Sequence, residues 1–256
     1  MIKIEKEKRH TIAALYKGWD ETLIWSCLQG FMGQAFADRE ENPSSAQIII
    51  GDFCFFSGIP NIELAENIPS DFHSDTMLMI PGSEAWSELI AKVYPLNHEK
   101  LLRYAIKKEP DVFRREKLQN FTDSIPSDYQ LKLIDESLFH LAKTESWSKD
   151  FCSLFSTYQE YETHGLGVMA LHKGIPVSGA SSYTYYDKGI EIEIDTRNDY
   201  RRKGLALACG AKLILECLDR GLYPSWDAVD LRSVALSEKL GYHMDKEYVT
   251  FAITLR

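Results

Sequence analysis

The sequence lacks the features that mark several large protein classes. No window approaches the ~18 consecutive apolar residues of a membrane-spanning helix. The opening stretch MIKIEKEKRHTIAALYKGWD carries charge where a secretory signal needs an apolar run, so a cytoplasmic location is expected. Positive charge is in deficit: 29 Lys and Arg against 38 Asp and Glu leave a net charge of -9. That balance argues against nucleic-acid or anionic-membrane partners, which are held by neutralising phosphate. The five cysteines, Cys27, Cys54, Cys152, Cys209 and Cys217, are odd in number and include no C-x-x-C pair. This is the pattern of reduced, buried thiols rather than of disulfides or zinc ligands. The seven histidines show no H-x-x-x-H spacing, so no metal is expected. Both glycine-rich phosphate patterns, G-x-x-x-x-G-K-[ST] and G-x-G-x-x-G, are absent, which argues against a nucleotide hydrolase and a dinucleotide site.

What is present is a chain of 256 residues, 45% hydrophobic, long enough for one large domain or two. Residues 1 to about 125 predict a mixed α/β region. IAALYKGWDETLIWSCLQGFMGQAFAD, SEAWSELIAKVY and HEKLLRYAIKKE carry helical patterns, and QIIIGDFCFFSG reads as one apolar strand. FTDSIPSD, Phe121 to Asp128, reads as a linker or an extended crossing, and the stretch from Glu136 to Gly165 as one or two helices. From Leu166 the period becomes that of strands, with three extended segments punctuated by Lys173-Gly174 and Lys188-Gly189. In the third segment Ile190, Ile192 and Ile194 alternate with Glu191, Glu193 and Asp195, which predicts one face carrying three carboxylates. A helix follows with an apolar stripe at Leu207, Gly210, Ala211, Ile214, Leu215 and Leu218. Then come a short strand in YPSWDA, a helix capped by Asp230 and ended by Gly241, and a final strand in EYVTFAITL, giving the order β-β-β-α-β-α-β.

One feature conflicts with helix electrostatics. Arg197, Arg201, Arg202 and Lys203 stand in front of the helix that begins near Leu205, although the unsatisfied N–H groups of a helix start already make it positive. A strand feeding the turn RRKGLA aims several N–H groups at one point, and Gly204 removes the Cβ that would block an approach. Such a turn binds phosphate, and a diphosphate would resolve the conflict.

YRRKGLA resembles the R/Q-x-x-G-x-G/A signature of the GNAT superfamily of acyl-CoA-dependent N-acetyltransferases, with Arg201, Gly204 and Ala206 at the fixed positions. SVALSEKLGY resembles that superfamily's later helix, which ends in K-L-G-F/Y. The resemblance covers about Gly165 to Arg256 and is similar in wording to the bacterial subfamily that includes the zwittermicin A resistance acetyltransferase. Residues 1 to about 125 lie outside it. The resemblance implies a GNAT-type α/β domain over 126–256, a mixed, mostly antiparallel sheet flanked by helices, behind the mixed α/β region of 1–125. It implies transfer of an acetyl group from acetyl-CoA to a primary amine of an unidentified acceptor, an amino antibiotic being one option by subfamily resemblance and a metabolite or protein amine another. The diphosphate of coenzyme A would sit on Arg201, Arg202, Lys203, Gly204, Leu205 and Ala206. The pantetheine arm would follow Ile194, Asp195 and Thr196, with Asp230 and Ser233 at the later helix also facing the cofactor.

Two departures stand out. The position of a frequent Asn before the later helix is Asp230, which accepts hydrogen bonds but cannot donate while ionised. The position of the frequent acid tyrosine is Ser237, whose hydroxyl is too weak an acid for that role. Both departures keep a non-catalytic acyl-CoA sensor in play. Tyr242 is expected to be a packing residue. Glu191 and Glu193 are the candidates for the base that deprotonates the amine, the alternative being that they only form salt bridges or face solvent. His164 is either an acceptor contact or a plain surface residue. A homodimer is left open. The short link between the halves suggests that residues 1–125 help to wall the acceptor site.

Overall fold

The structure is a computed structural model describing residues 1–255. The elements in chain order begin with β1 (Ile2–Ile4), two short 3-10 segments (Lys6–Thr11 and Ala13–Tyr16) and α1 (Thr22–Leu28). There follow β2 (Gln34–Ala37), β3 (Ser45–Ile50), β4 (Phe53–Gly58), α2 (Ile62–Ala65), β5 (Thr76–Pro81), α3 (Glu84–Val93) and β6 (His98–Ile106). The second series is α4 (Arg115–Asp123), β7 (Tyr129–Leu133), α5 (Glu136–Ala142), a 3-10 turn (Lys149–Phe151), α6 (Tyr158–His164), β8 (Gly167–His172), β9 (Ile175–Tyr186) and β10 (Gly189–Thr196). It closes with α7 (Leu205–Asp219), β11 (Tyr223–Ser225), β12 (Asp227–Ala228), α8 (Leu231–Leu240) and β13 (Met244–Thr254). The fold is mixed α/β, with mostly antiparallel sheets flanked by helices.

By packing the chain divides at Arg103 into two compact units. One holds Met1–Arg103 and the residues from Glu247 on, and the other holds Tyr104–Lys246. The last strand therefore belongs with the first unit.

In the first unit the strands run in the order β1-β2-β3-β4-β5-β13-β6. Successive strands pair antiparallel from β1 to β4, and β4 then pairs parallel with β5. The core is built on Phe36, Ile49, Phe56, Met77, Met79, Trp86 and Ile90, with Phe251 and Ile253 supplied by β13. In the second unit β7 to β10 are likewise antiparallel neighbours, and β10 pairs parallel with β11. Apart from a 3-10 turn at Asn198–Tyr200 and the two-residue β12, the two halves of the chain repeat one order of elements: a strand, three helical segments, three antiparallel strands, a helix, a parallel strand, a helix and a strand, the closing strand of the second half being β13, which joins the sheet of the first unit.

Several expectations need correction. QIIIGDFCFFSG is a hairpin rather than one strand: Gly51, at φ 58°, turns β3 back onto β4. QAFA, Gln34 to Ala37, is strand β2 rather than helix. HEKLLRYAI, the first nine residues of HEKLLRYAIKKE, is strand β6, although Glu, Lys, Leu and Arg favour helices. Pairing in a sheet overrides that weak preference. FTDSIPSD is not a linker, because Phe121, Thr122 and Asp123 finish α4. Its Leu118 and Thr122 are buried one helical turn apart, and α4 packs on α7. That cover explains why α7 is apolar on more than one stripe, burying Leu205, Ala208, Cys209, Leu213 and Cys217 besides Ala211 and Ile214.

The three-strand meander and its turns are as expected. Lys173 and Gly174 (φ 52° and 79°) supply the two positive φ values of a tight hairpin turn. α8 has Asp230 as its N-cap and Gly241 (φ 118°) as its C-cap. All five cysteines are free and buried, and burial pushes the Cys209 and Cys217 thiols up to about 12.

Candidate active site

The site is set by how far two parallel strands stay together. β10 and β11 pair only at Gly189–Tyr223, Ile190–Pro224 and Glu191–Ser225. β11 ends there while β10 runs on to Thr196, so the β10 edge from Ile192 to Thr196 has no β11 neighbour. A strand edge of this kind presents backbone donors and acceptors to an extended ligand.

The open edge leads into a left-handed turn. Arg202 (φ 63°) and Gly204 (φ 79°) both adopt the left-handed region, which costs a non-glycine residue such as Arg202 about 1 kcal/mol. α7 then starts with Gly204 in the N-cap position and no side-chain cap. A built Cβ on Gly204 meets nothing within 4 Å, so the mouth of the turn is open.

The cations there divide into two sets. Arg197 is paired with Asp199 at 2.9 Å. Arg201 is tied back to the strand, its Nε donating to the Thr196 carbonyl at 3.1 Å and its guanidinium lying 3.3 Å from Asp195. Arg202 and Lys203 are exposed and have no carboxylate partner among the described residues. Lys203 instead lies over the Tyr200 ring at 4.4 Å. The turn therefore keeps two cations available beside a set of helix-start N–H groups.

Other expected cofactor residues are committed within the protein. Asp195 accepts from the Thr196 N–H at 2.6 Å, and Thr196 Oγ1 shares a 2.6 Å hydrogen bond with Ser178. Ile194 reaches the α7 side, near Gly210. Leu205 is buried and Ala206 is half-buried in the first turn of α7. Asp230 accepts from the Arg232 and Ser233 N–H groups at 2.9 Å each, and its other oxygen takes the Arg232 guanidinium. The Arg232 hydrogen bond, aided by those two N–H groups, holds the Asp230 carboxyl below its ordinary range. Ser233 Oγ accepts from the Trp226 indole at 3.1 Å.

The carboxylate face needs a correction. The register of β10 against β9 shifts between Glu191 and Ile192, so that Glu191 stands opposite Thr184 and Glu193 opposite Ser181. The extra residue of this bulge is Tyr183 on β9, and side-chain contacts fix the faces on either side of it: Ser181 meets Tyr161 and Tyr185 stacks on His164, both on the α6 side, so Thr184, next to Tyr185, and its partner Glu191 face the other way. Glu193 shares the face on which Ser181 donates to the Phe151 carbonyl and meets Tyr161. Glu191 is buried, 5% exposed, on the other face at the last paired position before the strands part. Strict alternation could not reveal this, because a register shift leaves no mark in the residue pattern.

Tyr186 and Ser225 meet at the same junction and belong to no sequence motif. Tyr186 Oη and Ser225 Oγ share a 2.8 Å hydrogen bond. The ring crosses β10 at Gly189, where an added Cβ would collide with Tyr186 Oη and lie 2.7 Å from the Tyr223 carbonyl. The available signal was Gly189 itself, which reads as a turn glycine but is needed for close approach. Gly189→Ala is expected to destabilise the protein by about 1–3 kcal/mol through overpacking. An unchanged urea midpoint would show that the ring has another place to go.

Ser237 is buried, its hydroxyl donating to the Val234 carbonyl at 2.8 Å within α8. Tyr242 is a packing residue: it is 1% exposed, donates to the Pro224 carbonyl at 2.7 Å and stacks edge-on against Phe113. His164 ends α6 with its ring stacked on Tyr185 at 4.5 Å.

A strand that parts from its parallel neighbour, a left-handed turn and an uncapped helix thus meet at YRRKGLA. The chain belongs to the GNAT acetyltransferase family, whose sequence model matches residues 13–251. That match spans both units, so the likeness is not confined to the stretch from Gly165 on. A GCN5-related N-acetyltransferase-like protein from Streptococcus suis, known from its crystal structure, is 44% identical, with 96% of this chain and 98% of that one covered and a TM-score of 0.91. An uncharacterized N-acetyltransferase of Bacillus subtilis, YdfB, is 25% identical over 266 residues, 97% of each chain. A tandem GNAT protein from the clavulanic acid biosynthesis pathway shares the fold over 98% of this chain, with 9% identity and a TM-score of 0.55. Family membership implies acetyl transfer as the reaction. Among the described residues no helix is long and apolar enough to cross a membrane, and no group of three or more acidic, His or Cys side chains could hold a metal ion.

Proposed function

We propose that the chain transfers an acetyl group from acetyl-CoA to a primary amine of a small molecule, an amino antibiotic being one candidate class. The observation that carries this reading is the continuity of the open β10 edge with the turn at Arg202–Gly204 and the uncapped start of α7. An extended donor with a diphosphate at its middle fits that path. N–H groups from Arg202 to Ala206 and the side chains of Arg202 and Lys203 would hold the diphosphate. Backbone groups of Ile192 to Asp195 would hold the pantetheine arm. Acetyl-CoA supplies the activated thioester when bound.

In this reading Glu191 is the base. It sits where β10 and β11 part, the end of the path at which the reacting carbonyl would arrive, and takes the proton that the amine loses during attack. Glu193 faces the other side of the sheet. No phenol stands at position 237, so the reading assigns no protein group as the acid for the departing thiolate.

Release of free thiol from acetyl-CoA, followed with a panel of primary amines that includes amino antibiotics, tests the reaction. Turnover with at least one amine is expected. Tight binding with no turnover for any amine would favour a sensor. Glu191→Gln should keep the acetyl-CoA dissociation constant and lose roughly 10²-fold in kcat, with Glu193→Gln losing much less. Full activity in Glu191→Gln removes it as the base.

A further inference from the structure

The repeated topology raises the question of whether the first unit also holds a donor cleft. We infer that it does not: the first unit is a second copy of the donor-binding arrangement whose cleft has been closed by its own side chains, leaving one coenzyme A site per chain. This rests on the acetyl-CoA reading of the second unit. Each feature that makes the second site has a counterpart in the first, and each counterpart is closed.

The open edge comes first. β4 pairs with β5 from Phe53–Leu78 to Phe56–Pro81, and only Ser57 and Gly58 remain beyond the last pair. β10 has Ile192 to Thr196 in that place. The two leftover residues are also occupied: Ser57 Oγ donates to the Leu15 carbonyl at 2.6 Å, and the Gly58 carbonyl accepts from the Trp86 indole at 2.9 Å.

The helix start comes second. α7 is 15 residues long and uncapped, whereas α2 has four residues and its N-terminus is closed by Asn61, whose side chain accepts from the Leu64 N–H. The preceding turn, Ile59-Pro60, carries no cation where the second unit has Arg201, Arg202 and Lys203.

The third difference is at the wall. Trp86 is the third residue of α3 after its N-cap Ser83, as Ser233 is the third residue of α8 after Asp230. Its ring is fully buried and stacked on Phe56 at 4.7 Å, covering the point where β4 and β5 part. The last pair there is Phe56–Pro81, where the second unit has Glu191–Ser225. An apolar junction under an indole offers neither a base nor room for a thioester.

Calorimetric titration of the full chain with acetyl-CoA tests the inference, with hydrogen exchange as a second readout. One equivalent should bind, protecting backbone amides of residues 192–206 and leaving residues 57–66 unchanged. Gly204→Glu should bind about 10²-fold more weakly or not at all, with residues 57–66 still unprotected. Two equivalents in the wild type, or protection of residues 57–66 in either protein, would overturn the closed cleft while leaving the acetyl-CoA reading in place. No binding to the wild type would overturn both.

Discussion

Gly204→Glu is expected to weaken acetyl-CoA binding by about 10² or more while leaving the circular dichroism spectrum unchanged. The two halves of this expectation have separate causes. Gly204 sits at φ 79°, so any side chain there adds strain of about 1–2 kcal/mol. That is small against the ~5–15 kcal/mol by which domains are stable. The added Cβ meets no atom within 4 Å, so no clash follows. A carboxylate at a helix N-terminus is itself favourable, since it answers the positive end of the helix. The fold should survive. The same carboxylate, however, occupies the N–H groups and repels the diphosphate that would use them. Loss of two hydrogen bonds to a charged group, at about 1.5 kcal/mol each, corresponds to roughly 10² in affinity. Gly204→Ala adds the strain without the charge and should lose far less. Raising salt should weaken wild-type binding, because Arg202 and Lys203 act through charge. Unchanged affinity in Gly204→Glu would place the diphosphate elsewhere.

The parts of this site that were legible in the sequence are those set by local chemistry. Cations ahead of a helix, a glycine among them and a strand before them are properties of a dozen consecutive residues, and the structure keeps them together at Arg201 to Ala206. The meander was legible for the same reason, since Lys173-Gly174 is a turn whatever surrounds it. What could not be read depends on pairing across the chain. Whether HEKLLRYAIKKE is a helix or a strand is decided by a neighbouring strand, and that neighbour, β13, lies about 140 residues later in the sequence. The faces of Glu191 and Glu193 depend on a register shift against β9. The closed first cleft was hidden because its features are substitutions of one residue type for another, Trp86 for Ser233 and Phe56 for Glu191, with no motif left to recognise.

The place of β13 leads to the largest expected effect on the fold. Removing the residues from Glu247 on should abolish cooperative folding of the first unit rather than trim its end. Phe251 pairs with Met79, Ile253 with Met77 and Thr254 with Thr76, so β5 loses its antiparallel ladder when β13 is removed. Phe251 and Ile253 are 2% and 0% exposed and pack with Met77, Met79, Phe56 and Trp86. Each buried side chain of this size contributes about 1.5–3 kcal/mol, so the pair alone accounts for roughly 3–6 kcal/mol. That approaches the whole stability of a typical domain before the exposed β5 backbone is counted. Phe251→Ala is the milder form and should cost about 3–5 kcal/mol, read as a fall in the denaturant midpoint. A truncated chain that unfolds cooperatively at the wild-type midpoint would show that the first unit does not need this strand. The same topology bears on fragments: a chain starting near Ser127 keeps β13 but lacks β5, leaving Phe251 and Ile253 without the core that buries them in the intact protein. Such a fragment should aggregate, and its loss of turnover would then report a broken sheet rather than a missing acceptor wall. The acceptor side is better probed by point substitutions in the full-length chain.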